Sequence, residues 1–221
     1  MKKLLPCLLI GAMTSASAFA DNFYGALRLQ SADQRLARAD LTSPRIDSRI
    51  SSPSRDADLS GAMSIGYAFT GGWRLEGEYT INKDSKFDSY WSPFDANVNR
   101  MEVSSERFMV NGFKDFAVTD DVSFYLMAGL GVARIRSEGY QTSADRRFAN
   151  YTQNNFAYSM GLGMDYKFDK KITLGGGYRY VNMGNIETGH NTFINRINAR
   201  DEQLKGKLFE QNLFLEARVA L

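Results

Sequence analysis

The chain has 221 residues, of which 43% are apolar, 13% aromatic and 24% charged, with 19 Gly, 4 Pro and a formal net charge of +2. This excludes collagen-like, low-complexity and disulfide-scaffold classes, and the aromatic-rich, Pro-poor balance leans towards β-structure. No apolar run reaches the ~20 residues a membrane-spanning helix requires.

Residues 1–20 carry the pattern of a bacterial export signal. Met1-Lys2-Lys3 supplies a positive start, Leu4 to Met13 an apolar stretch, and Ala18-Phe19-Ala20 a small-x-small cleavage site before Asp21. Cys7, the single cysteine, lies inside this segment and reads as a small hydrophobe lost on processing. The expected mature chain then has no thiol for a disulfide or a thiolate metal site. The 27 basic residues less Lys2 and Lys3 leave 25 against 25 acidic ones, a net charge of zero. The pI near 8.6 therefore describes the precursor and is no sign of nucleic-acid binding.

From Phe23 onward the period is 2, that of strands. Phe23 to Gln30 is the first alternating segment. Leu59 to Phe69 places Leu59, Met63, Ile65, Tyr67 and Phe69 on one face, and Thr70-Gly71-Gly72 turns the chain into Trp73 to Ile81. Phe108 to Phe116 is the least regular segment, and its facing is open. Phe124 to Ala133, Phe156 to Phe168, Ile172 to Val181 and Phe209 to Leu221 complete eight segments of roughly 9–13 residues, long enough to cross a bilayer when tilted. Short turns at 70–72, 117–121 and 169–171 alternate with long polar connections at 31–57, 83–103, 136–153 and 183–206. Short turns on one side and long loops on the other is the layout of an outer-membrane barrel. Aromatics gather at the two ends of the apolar face: Phe69, Trp73, Phe124, Tyr166 and Phe168 near the short turns, and Tyr79, Phe108, Phe156, Tyr158, Tyr178 and Tyr180 opposite. Two bands separated by Leu, Met, Ala and Val match the interfacial girdles of a bilayer protein better than the filled core of a secreted β-sandwich.

The runs Ala128-Gly-Leu-Gly131, Gly161-Leu-Gly-Met-Asp-Tyr166 and Gly177-Tyr-Arg-Tyr180 resemble those of small Gram-negative outer-membrane barrels, the opacity-like family related in architecture to the OmpA and OmpX barrels. The resemblance covers the mature chain. It implies an all-β, eight-stranded antiparallel transmembrane barrel with short periplasmic turns and four long extracellular loops, divided as a cleaved signal, 1–20, and a barrel domain, 21–221. It also implies insertion by the barrel-assembly machinery, which usually reads a terminal aromatic residue where this chain has Leu221; that departure reads as a tolerated variant.

Eight strands enclose a lumen that side chains fill. The inferred inward charges are Arg28, Arg74, Glu76, Glu78, Asp165, Lys167, Arg179, Glu216 and Arg218, and their mixed signs predict a salt-bridged plug, with Arg28 near Glu216 across the closing strands. Catalysis is not expected. The lipid A-modifying barrels pair a histidine with a serine, whereas His190 stands alone in the last loop, and no cofactor or metal site is indicated. The working surface is expected in the loops. Arg35, Arg38, Arg45, Arg49 and Arg55 in the first, and Arg146 and Arg147 in the third, could grip lipopolysaccharide phosphates or sulfated host glycans. Trp91 and Phe94, beside Tyr90 and Met101 in the second, could mark a binding tip. The expected protein is a monomeric adhesion/invasion-type or envelope-integrity barrel, its partners outer-membrane lipid and a host glycan or matrix ligand, with no nucleic acid. A narrow porin-like channel and, last, a lipid A-modifying enzyme are the other readings.

Overall fold

The structure is a computed structural model that describes residues 22–42, 48–50, 54–92 and 94–221. The expected signal peptide and Arg45 lie outside the described residues. Nine strands follow in order: β1 (Phe23–Leu41), β2 (Ser48–Ile50), β3 (Ser54–Phe69), β4 (Trp73–Ser92), β5 (Phe94–Ala117), β6 (Val122–Gln141), β7 (Arg147–Lys167), β8 (Ile172–Glu187) and β9 (Leu204–Ala220). The eight long strands pair antiparallel in the ring β4-β3-β1-β9-β8-β7-β6-β5, and β4 pairs with β5 to close it. β2 is a short addition to the far end of β4, with Ser48 opposite Ser92. The first and last strands meet in the register that sets Arg28 opposite Glu216.

In the half of the barrel nearest the short turns, apolar side chains point outward. Leu27, Leu29, Met63, Ile65, Leu126, Leu130, Met160, Leu213 and Leu215 are exposed there, bounded below by Phe69, Trp73, Phe116, Tyr166 and Phe168 and above by Tyr79, Phe108, Phe156 and Tyr158. An apolar outer belt with aromatic rims is what a bilayer demands of a barrel. β5 resolves the open facing: Arg107, Met109, Asn111 and Phe113 are buried inside, while Phe108, Val110 and Phe116 are exposed.

The strands do not stop at the belt. They run 16 to 24 residues, so most of the segments read as long loops are strand. Above the belt the solvents exchange places: water lies outside, and the apolar side chains turn inward. Bulges between Thr80 and Lys83, Ser137 and Gly139, and Asn182 and Asn185 shift the register as the strands leave the belt. Two-residue alternation read in one fixed phase therefore ends at these points.

The ring also opens above the belt. β3 pairs with β4 only from Phe69–Trp73 to Ala62–Thr80, and β7 pairs with β8 only from Lys167–Thr173 to Tyr158–Asn182. Beyond those pairs β3 stays with β1, β4 with β5, β7 with β6 and β8 with β9. The outer half is thus two four-stranded sheets, β3-β1-β9-β8 and β4-β5-β6-β7, facing each other across two opposite seams that backbone pairing closes again at the far end, where β2 meets β4 and residues 189–192 meet 147–149. Between them lies an apolar core, to which one sheet gives Leu36, Ala39, Leu41, Met183, Ile186, Leu204 and Leu208 and the other Phe87, Met101, Val103, Ile135 and Phe148; it continues down into the closed ring through Met109, Ala133, Ala157 and Val181. Side chains replace the missing backbone bonds at each seam. Asp56 accepts from the Lys86 backbone N–H at 2.8 Å, while Asn155 Nδ2 donates to the Met183 carbonyl at 2.8 Å and Gln153 Nε2 to that of Asn185 at 2.7 Å.

Candidate functional site

The lumen of the belt is occupied by a continuous network of ion pairs. Arg28 Nε donates to Glu216 Oε2 at 2.8 Å, and the same guanidinium pairs with Glu78. Arg179, fully buried, donates through Nη1 to both oxygens of Glu78 at 2.7 and 2.8 Å, and through Nη2 to Gln30 Oε1 at 2.9 Å. Towards the short turns, Arg74 makes two bonds to Asp115, at 2.7 and 2.8 Å, and one to Asp165 at 3.2 Å, and Arg218 joins Asp165 and Glu216. The guanidiniums of Arg28 and Arg74 lie 4.4 Å over the rings of Phe214 and Phe113. Thin walls make room for this filling. A side chain in place of the glycine at 163 would collide with the Tyr125 hydroxyl, and one at 161 with the Tyr178 carbonyl.

The network extends beyond the residues the alternation identified. Arg107 Nη2 donates to Glu210 Oε1 at 2.9 Å, and Gln34 Nε2 links Glu210 at 2.7 Å to Ser105 at 2.9 Å. Arg107 was hidden by the irregular pattern of β5, where inward Met109 and Phe113 blur the contrast between faces. Glu210 shares the parity of Asn212 and Glu216 and was legible on that ground. One residue leaves the set: Lys167 is exposed at the rim by the short turns, its Nζ 3.5 Å from the Asp120 carbonyl. It sits beyond Asp165 where β7 ends, so its alternation faces water, not the lumen. Arg28, Arg74, Arg107, Arg179 and Arg218 thereby meet Glu76, Glu78, Asp115, Asp165, Glu210 and Glu216. Side chains fill the lumen at the level of these pairs, as the narrow bore of eight strands requires. Planar-bilayer recording of the purified barrel is expected to show no sustained conductance steps, with Glu76→Ala leaving the trace unchanged; a reproducible ohmic step from the native barrel would refute this.

Of the arginines read as loop ligands, those whose side chains are described, Arg35, Arg38, Arg55, Arg146 and Arg147, are spread around the outer half and form no common site. Arg35 and Arg55 flank Asp33 at 2.9 and 2.7 Å on the wall of β1 and β3. Burial works to raise the Asp33 pKa, and these hydrogen bonds outweigh it, so the carboxyl titrates below its ordinary value. Arg38 is exposed, in the left-handed backbone region at φ 51°, where β1 bulges. The backbone of Arg49 pairs with that of Trp91, and Trp91 pairs with Phe94 at the tip of the β4–β5 hairpin. Arg146 lies 3.9 Å over the Phe193 ring, and Arg147 Nε donates to the Ala144 carbonyl at 3.1 Å. Met101, grouped with the tip aromatics on sequence, is instead 2% exposed in the apolar core. His190 is exposed, and its backbone carbonyl accepts from Ala149.

The family described as outer membrane protein beta-barrel domain matches residues 4–199 of the chain. Outer membrane protein PagN of Salmonella typhimurium is 25% identical in an alignment of 148 residues that covers 61% of this chain and 62% of PagN, so the match spans less than two thirds of that relative. Among solved structures, Neisserial surface protein A aligns with a TM-score of 0.53 at 18% identity, over 90% of this chain and 97% of that one. The outer membrane protease OmpT of Escherichia coli aligns at 0.54 and 8% identity, over 94% and 99%. At such identities both speak for the fold alone.

Proposed function

The chain belongs to the outer membrane protein β-barrel domain family, and on that premise we propose that it is a non-catalytic barrel that holds a folded head above the outer membrane for surface binding, of the adhesion/invasion or envelope-integrity type. The observation that carries this reading is the two-sheet head with its own apolar core. Eight strands need no such extension to fill or span the membrane, whereas a rigid platform pre-organises a tip for binding and lowers the ordering cost. The filled lumen favours presentation over transport. In this reading residues 1–20 direct export, the assembly machinery inserts the barrel, and the ligand is a host glycan or matrix component met at the β4–β5 tip.

The test is the double variant Trp91→Ala/Phe94→Ala. Adhesion of bacteria displaying it to host cells is expected to fall at least severalfold, with the same amount of heat-modifiable folded barrel in the membrane as the parent. Adhesion equal to the parent's would sink the tip as the binding surface. Purified barrel, incubated with peptide and lipid A substrates, is expected to leave both intact.

A further inference from the structure

We propose that the cleft outside the β7/β8 seam binds the phosphorylated saccharide headgroup of a lipid in the leaflet around the barrel. The cleft measures about 580 Å³ and is walled by Arg38, Asp40, Lys205 and Lys207 on one side and Tyr151, Asn185 and Glu187 on the other. Its height selects the ligand. On β9 the outward row runs Leu213, Gln211, Phe209, Lys207, Lys205, so the cations follow directly on the membrane-facing apolar residues. Phe209, the outward residue next below Lys207 on β9, packs on Tyr180 with ring centroids 5.9 Å apart, an aromatic ledge between the cations and the belt. Between Phe156 and Tyr151, β7 rises roughly 12 Å along the membrane normal at the usual strand tilt. The cleft therefore opens sideways at the level of lipid headgroups, where a molecule diffusing in the same membrane reaches it more readily than a host macromolecule does.

Its chemistry fits a sugar bearing phosphate. Lys205 is joined to Glu187 at 3.2 Å, and Arg38 and Lys207 share the cleft with one further carboxylate, Asp40. Two cations against that one carboxylate offer charge-assisted bonds to phosphate oxygens, and an exposed phenol ring with a neighbouring carboxamide offers a face and hydrogen bonds to a saccharide. The opposite seam gives the contrast. The cleft on that side, about 470 Å³, runs from β3 across β4 to β5 and β6 and is lined by Asp56, Asp58, Asp84, Glu102 and Glu138 against Lys86 and Arg136. A generic cationic collar would be alike at both seams; here cations outnumber carboxylates in one cleft and carboxylates outnumber cations in the other.

The full-length barrel in phosphatidylcholine nanodiscs is titrated with lipopolysaccharide, with the same lipid after phosphatase treatment, and with inorganic phosphate. Binding is read by hydrogen-exchange protection of residues 150–157 and 183–187. The phosphorylated lipid is expected to bind about tenfold or more tightly than the treated lipid, and Arg38→Gln/Lys207→Gln is expected to abolish that difference while keeping the heat-modifiable fold. Lys86→Gln/Arg136→Gln at the opposite seam is expected to leave it unchanged. Equal binding of both lipids, indifference to Arg38→Gln/Lys207→Gln, or inorganic phosphate binding as tightly as the lipid would each overturn the assignment. The site is independent of the tip, so Trp91→Ala/Phe94→Ala is expected to retain lipid binding even where adhesion is lost.

Discussion

Glu78→Ala is expected to lower the stability of the folded barrel by about 3–5 kcal/mol, the cost of removing one partner from a buried ion pair and stranding the others. Glu78 is the node of the lumen: it accepts from Arg179 at 2.7 Å, pairs with Arg28, and takes a bond from Asn111 Nδ2 at 3.2 Å. Without it, Arg179 keeps only the carbonyl oxygens of Gln30 and Asn212, and a buried guanidinium has no carboxylate beside it. The measurement is urea unfolding of the barrel in lipid vesicles, followed by heat-modifiable mobility. The double variant Glu78→Leu/Arg179→Met is expected to recover much of the loss, because apolar side chains of similar volume replace a matched pair without leaving a lone charge. A loss below about 1 kcal/mol for Glu78→Ala would mean that water screens this network and the lumen is wet.

Phe87→Ala is expected to cost about 3–5 kcal/mol as well, because it empties a fully buried aromatic site, but the loss should be confined to the head. Phe87 stands in the apolar core between the two outer sheets, above the belt, and has no part in the ion-pair network below. On intact cells, added protease is expected to cut the variant within 83–103 at concentrations that spare the parent. The membrane half is expected to keep its folded mobility. If the parent were cut there as readily, that stretch would be a loop after all. If the variant lost its folded form altogether, the two halves would be one cooperative unit.

The wall of the membrane half was legible residue by residue except on β5, where inward Met109 and Phe113 leave the facing open. Each strand there faces lipid on one side and side chains on the other, and Leu126, Leu130, Met160 and Leu215 announce the lipid face by parity alone. Eight of the nine charges assigned to the lumen stand there for the same reason, and Lys167 departs because it lies where the strand leaves that environment. The head was not legible. Its outward residues, such as Asp84, Lys86 and Asp88 on β4, are as polar as any loop, and the bulges after Thr80 and Asn182 break the phase that carries the apolar ones inward.

What the sequence by itself determined is the barrel: the number of strands, their order, which end bears the short turns, and the belt that meets the bilayer. Alternation is a local signal, and two fixed solvents on either side of a wall suffice to write it into consecutive residues. What only the tertiary structure decided is which charges meet and where the ring opens. Arg179 and Glu78 are 101 residues apart in sequence and share their bonds only because the closed ring sets β8 across from β4. The seams depend on which strands cease to pair, and no run of residues within a single strand carries that information.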